Sequence, residues 1–256
     1  MPAMLRVVER ELFVFRRLWH GIAFSAFVQP ALYLVAMGVG LGGYVDDGGS
    51  SAMAGTSYLE FVTPGLLAAT AFQLAVGESL WYVMSGVKWD KRYHAMLAGP
   101  VGSTDIMLAH VSWNALRTVM SAVPFLVIAA IFGGVASWWA VLAIPAVALL
   151  GIAVSSLVAA WSTTTDDEQT FPLVMRFGVL PLFLFSGTFF PTSTLPRWLE
   201  LVAPVSPLYH GVELCRAATT GSGEPAAIAG HALLLLATAT AGLWLARRSF
   251  GRKLSA

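Results

Sequence analysis

The chain has 256 residues, of which 57% are hydrophobic and 11% charged, and its formal net charge is +1. Soluble domains carry about 25% charged residues, so the composition excludes an ordinary soluble globular protein and describes a polytopic membrane protein. The near-zero net charge gives no global field for nucleic acid, and the single cysteine, Cys215, excludes an intramolecular disulfide and a cysteine-cluster metal site.

At the start of the chain, Arg6, Glu9, Arg10, Glu11, Arg16 and Arg17 precede an apolar run long enough to span a membrane. No cleavable signal peptide is expected from that pattern. Leu5, Val8, Leu12, Phe15 and Trp19 recur at steps of three and four, with Arg6, Arg10 and Arg17 on other faces. This predicts an amphipathic helix over residues 1–20, suited to the membrane interface.

A membrane helix needs roughly 20 apolar residues. Stretches that meet this are Gly21–Gly43, Leu59–Val87, Asp105–Phe132, Trp138–Trp161, Phe171–Phe190 and Ala226–Ala246. The fold class expected is therefore all-α and polytopic, a single domain with six transmembrane helices. Spans one to five occupy residues 21–190, an outer segment 191–225, the sixth span 226–246 and a tail 247–256. Gly38 and Gly42 have GxxxG spacing, which permits close approach of helices at a dimer seam.

Basic residues set the orientation. Arg6, Arg10, Arg16 and Arg17, then Lys88, Lys91 and Arg92, then Arg247, Arg248, Arg252 and Lys253 lie on one side, eleven of the 15 in the chain. The positive-inside rule places that side, and both termini, in the cytoplasm of a multi-pass plasma-membrane protein.

Several polar residues stand out against this background. The loop KWDKRYHAMLAGPVGS, residues 88–103, predicts a short cytoplasmic helix from about Trp89 to Leu97, stopped by Gly99–Pro100. Lys88, Trp89, Lys91, Arg92, Tyr93 and Met96 are its candidate docking residues, with Trp89, Arg92, Tyr93 and Met96 on one face; the plain alternative is an ordinary positively charged loop. In the third span His110, Asn114 and Arg117 form one polar stripe. Arg117 lies roughly 18 Å from Asp105 at 1.5 Å per residue, inside the hydrocarbon, where a charge needs a partner. Glu78, about 15 Å from the same membrane face, is that expected partner, as a structural tie or as part of a translocation path. Asp166, Asp167 and Glu168 read either as a solvated loop with a local ion pair to Arg176 or as a second docking contact. His210 and His231 read as hydrogen-bonded structural residues rather than metal ligands. No GxxxxGK[ST], GxSxG or HExxH occurs, so this chain has no expected catalytic constellation, phosphate cradle or bound cofactor of its own.

The most informative stretch is FSGTFFP (185–191), then WLELVAP (198–204), then PLYHGVELCR (207–216). A long apolar segment meets Gly187, Phe189, Phe190 and Pro191, and helix restarts at Pro207 before Tyr209, Glu213 and Arg216. Irregular backbone at membrane depth survives only where protein or a water-filled cavity shelters it. These residues are expected to form an outer gate of short re-entrant helices, with Glu213 and Arg216 paired along one face.

This signature resembles the permease subunits of type-2 ABC exporters, closest to the nodulation-protein-J subgroup. The resemblance implies a dimer, likened to a homodimer, paired with separate nucleotide-binding ATPase subunits that use ATP and Mg. It implies that the 88–103 loop holds the coupling helix and that residues 191–221 close the pathway externally. It also implies export of drugs, glycolipids, polysaccharides or lipo-oligosaccharides from the cytoplasm or inner leaflet. Two other classes compete: a polytopic membrane enzyme acting on lipids, and a secondary transporter. The first lacks an assembled charged or histidine site, and the second usually shows an internal repeat that is not evident here.

Overall fold

The computed structural model describes residues 3–42 and 57–254, and every regular element among them is helical. The predicted Gly43 end of the first span lies outside the described residues. The first element, α1, runs Ala3–Leu34 and continues as π-helical turns over Val35–Leu41. The separate interfacial helix expected over residues 1–20 is thus corrected: no turn divides it from the first span. Gly21 is the only breaker near that boundary, and one glycine costs a helix only about 1 kcal/mol.

Four helical stretches among the described residues are long and apolar enough to cross a membrane: Tyr58–Trp89, Ser103–Ile131, Trp138–Thr164 and Pro225–Leu254. The first begins as α2 (Tyr58–Gly77), capped by Ser57 and Glu60 in a reciprocal capping box. It ends in two π-helical stretches, Glu78–Tyr82 and Ser85–Trp89. The short α3 (Arg92–Leu97) follows, then α4 (Ser103–Ile131), and α5 (Ala143–Thr164) behind a 3₁₀ turn at Trp138–Leu142. The fifth predicted span is α6 (Thr170–Val174), a π segment (Met175–Val179) and α7 (Leu180–Phe185).

That apolar run ends at Phe185, short of the expected Phe190. Its 16 residues rise only about 24 Å, against roughly 30 Å of hydrocarbon. The cause is Gly187, whose φ of +78° is left-handed and cannot continue a helix. Beyond it lie a 3₁₀ turn (Thr192–Thr194), α8 (Arg197–Val202), a second 3₁₀ turn (Ala203–Val205), α9 (Pro207–Thr220) and the final α10 (Pro225–Leu254).

The main apolar core joins α2, α4, α5, α9 and α10 around Leu66, Phe125, Leu150, Leu208 and Leu235, all essentially inaccessible. Small residues permit the closest approaches. A Cβ at Gly242 of α10 would meet Ser156 Oγ of α5 at 2.2 Å, and one at Gly211 of α9 would meet Leu150 of α5 at 2.6 Å. Gly38 of the GxxxG pair is also used within the chain, against Leu59 at 2.7 Å.

Candidate functional site

The polar residues of α4 turn towards α2. His110 and Asn114 are both buried and converge on Ser79, with His110 Nε2 at 3.2 Å and Asn114 Nδ2 at 3.3 Å from its hydroxyl. Asn114 Nδ2 also lies 3.4 Å from the carbonyl of Ala75. One turn deeper along α4, Arg117 donates to Glu78 Oε1 at 3.0 Å. The structure therefore brings together Glu78, Arg117, His110 and Asn114, and adds Ser79, which sequence spacing did not single out. Arg117 also lies 5.9 Å from the ring of Phe15, and Phe15 packs edge-on against Trp113 at 6.0 Å, so α1 is part of the same assembly.

Glu78 and Ser79 open the first π-helical stretch of the second span. Wide turns free backbone carbonyls from the i→i−4 pattern, and these need other donors. Ser162 of α5 donates to Leu80 O at 3.0 Å, and Arg92 of α3 reaches Tyr82 O at 3.4 Å. The Arg92 guanidinium also covers the Tyr82 ring at 4.0 Å, and the Tyr82 ring stacks on His110 at 5.9 Å. An unbroken set of contacts thus runs from the loop helix α3 through Arg92, Tyr82 and His110 to the intramembrane stripe.

The loop itself differs from expectation. Its helix starts at Arg92, not near Trp89, because Lys91 takes a left-handed conformation with φ 49°. Trp89 is separated from Arg92, Tyr93 and Met96 by that turn, so the four do not share one face. Tyr93 is 2% exposed, inserted over Gly86 and against Phe250 of α10. Burial pushes its hydroxyl up to about 12. Arg92 and Met96 are half-buried, so α3 presents His94 and Ala95 outward instead, with Ala98 exposed just after it. Trp89 is 48% exposed and donates to Glu168 Oε2 at 3.0 Å. Lys88 Nζ donates to the carbonyl of Asp166 at 2.5 Å, and Lys253 Nζ to its carboxylate at 2.5 Å. The acidic cluster is therefore tied to the first loop and the C-terminal helix, not to Arg176. The Lys253 hydrogen bond, with its charge, holds the Asp166 carboxyl below the usual carboxylate range.

At the opposite end, Ser186 and Thr188 are buried although their backbone is irregular. Gly65 of α2 makes room: a Cβ there would stand 2.5 Å from Thr188 O. Arg216 donates to Gly187 O at 2.7 Å, pairs with Glu213 and lies 4.4 Å over the Phe61 ring. Phe189 packs edge-on against Phe183 at 5.1 Å, and Phe190 lies 6.5 Å from Phe185. Pro191 leads into the 3₁₀ turn, whose Thr194 N–H bonds back to Pro191 O at 3.0 Å. Pro207 begins α9 behind the Ser206 cap, and Tyr209 lies edge-on to His210 at 5.4 Å. His210 Nε2 lies 2.8 Å from Pro204 O, and its Nδ1 lies 2.8 Å from Nδ1 of His231 in α10. Because a carbonyl only accepts, His210 Nε2 carries the proton, and His231 donates to His210 Nδ1 in the neutral pair. His231, the lone titratable residue in the sixth span, was the sequence trace of this link. Desolvation lowers the His210 pKa.

Residues 3–219 match the family model described as ABC-2 type transporter. The chain belongs to the ABC-2 type transporter family. The match takes in α1 to α9 and leaves α10 outside. Among curated relatives, Nodulation protein J of Rhizobium meliloti (strain 1021) is 27% identical over 212 residues, covering 80% of this chain and 78% of that protein. Nodulation protein J of Rhizobium leguminosarum bv. trifolii is 29% identical, over 73% and 70% of the two chains. The inner membrane transport permease YadH of Escherichia coli (strain K12) is 24% identical, over 81% and 79%. This chain is thus an integral-membrane ABC-2 permease of the nodulation-protein-J type, and its family associates with an ATP-binding partner. Both the α2–α4 polar cluster and the irregular segment 186–206 fall within the family-matched residues.

Proposed function

We propose that the chain is the transmembrane permease subunit of an ATP-driven exporter that acts as a homodimer with two ATPase subunits. ATP and Mg are used by those subunits, and this chain binds no cofactor. The chain crosses the plasma membrane six times with both termini in the cytoplasm, its short fifth crossing met by local thinning of the bilayer. Its cargo is amphipathic or lipid-linked, a drug, glycolipid, polysaccharide or lipo-oligosaccharide leaving the cytoplasm or inner leaflet. The exposed face of α3, with Trp89 beside it, receives the ATPase. The segment 186–206, buried at Ser186, Gly187, Thr188, Ala203 and Ser206, forms the outer gate with α9 as re-entrant structure.

The observation that carries this reading is the contact path from α3 through Arg92, Tyr82 and His110 to the polar stripe of α4. It gives a force applied at an exposed loop a packed route into the bundle. The test replaces the outward His94 and Ala95 with glutamate and measures co-purification with a co-expressed ATP-binding subunit, together with transport. Loss of both in a normally inserted permease is expected. Unchanged co-purification and transport would overturn the docking assignment.

A further inference from the structure

A cleft of about 570 Å³ lies between α5 and α10, at the end of the bundle that carries the C-terminal basic residues. Its volume is in the range of small-molecule sites. Leu157, Ala160 and Trp161 of α5 and Leu245 of α10 form its apolar wall, and Arg248 and Arg252 stand at its mouth. Other polar groups of the cleft are already engaged. Thr164 and Ser249 hydroxyls bond carbonyls of their own helices, and Lys253 bonds Asp166. Arg248 lies over the exposed Trp244 ring at 4.5 Å. Neither Arg248 nor Arg252 has an ion-pair partner among the described residues.

We propose that this cleft holds an anionic phospholipid of the adjoining leaflet, its phosphate gripped by Arg248 and Arg252 and one acyl chain laid against Leu157 and Leu245. Guanidinium groups match phosphate oxygens as a planar fork. Trp161 and Trp244 belong at the headgroup level, where tryptophans concentrate. Basic pockets between transmembrane helices favour anionic headgroups. The site rests only on α5 and α10 being membrane helices, so it stands or falls independently of the exporter assignment. It lies partly outside the family-matched residues.

The test measures lipid retained on purified full-length protein by native mass spectrometry after exchange into phosphatidylglycerol or phosphatidylcholine. Wild type is expected to retain phosphatidylglycerol preferentially. The Arg248→Gln/Arg252→Gln variant is expected to lose roughly 30-fold of that preference, from the ordinary worth of two cations beside an anionic headgroup. Arg248→Lys/Arg252→Lys should keep the charge and lose less, and Arg6→Gln/Arg16→Gln, remote basic residues, should change nothing. Leu157→Trp fills the apolar wall and should weaken phosphatidylglycerol with both arginines intact. Equal retention of the two lipids by wild type, or unchanged preference in the double glutamine variant, would overturn the proposal. So would full displacement by millimolar inorganic phosphate with no effect of Leu157→Trp, which would make the site one for a soluble anion.

Discussion

The Glu78–Arg117 pair allows the sharpest test of the intramembrane architecture. The contact is 3.0 Å, with the Arg117 and Glu78 side chains 17% and 28% exposed. Removing one member of a buried pair costs about 3–5 kcal/mol, because the other charge stays behind without a counterion. Residual exposure of both groups places Glu78→Gln near the lower end, at about 3 kcal/mol. Arg117→Met also forfeits the Phe15 ring contact at 5.9 Å, adding about 0.5–1 kcal/mol. The double variant Glu78→Gln/Arg117→Met strands no charge, so its loss should stay near that of the worse single, giving a coupling of about 2–3 kcal/mol. Unfolding of the purified permease in mixed micelles, followed by tryptophan fluorescence, measures all four corners of the cycle. A double variant as destabilised as the sum of the singles would show that the pair contributes nothing, and the reasoning would fail.

Tyr93→Ala should cost about 3–4 kcal/mol, the usual price of deleting a buried aromatic ring, whereas Trp89→Ala should leave the unfolding midpoint nearly unchanged and lower transport; the reverse pattern would put Tyr93 on the outer surface. Lys91→Gly should raise stability by about 1 kcal/mol by relieving the left-handed turn, and a loss in the same thermal assay would contradict that backbone assignment. Gly65→Ala should destabilise by about 1–3 kcal/mol through overpacking against the Thr188 backbone, with cysteine labelling at position 188 increasing as the segment is displaced; unaltered labelling and stability would refute the close approach. His210 has a lowered folded pKa through desolvation, opposed by its bond to Pro204 and by Glu213 and reinforced by His231. The unfolded chain therefore binds the proton more readily, and stability should fall as pH drops below about 6.5. Melting curves at pH 7.5 and 5.5 should show that difference in wild type and lose part of it in His210→Phe.

Helical periodicity and hydropathy made the membrane class and the stripe on α4 readable, because both depend on short spacings. Arg117 needed a counterion within reach at matching depth, and depth follows from a constant rise per residue; Glu78 was therefore nameable. Ser79 was not, since a serine beside an apolar run carries no distinctive pattern. Tyr93 was misassigned to the outer surface because an aromatic at helical spacing fits either face, and only the packing of Phe250 against it decides. The early end of α7 follows from the positive φ at Gly187, which glycine permits but does not require. The continuity of α1 was hidden by a change of composition at residue 20 that involves no backbone break. The Asp166 links join residues 78 and 87 positions apart, a separation at which spacing arguments have no reach.

That last separation has a bearing on the order of assembly. Synthesis delivers Lys88 first, Asp166 next and Lys253 near the finish, and domains form in the order in which their parts emerge. Asp166 can engage Lys88 early, but Tyr93 has no Phe250 to rest against, and Asp166 no Lys253, until α10 is in place. The surface offered by the first loop is therefore completed by the last helix inserted. A chain halted before α10 would expose the Tyr93 ring and leave the loop helix without its support, so the finished geometry of that surface reports that the whole bundle has been made.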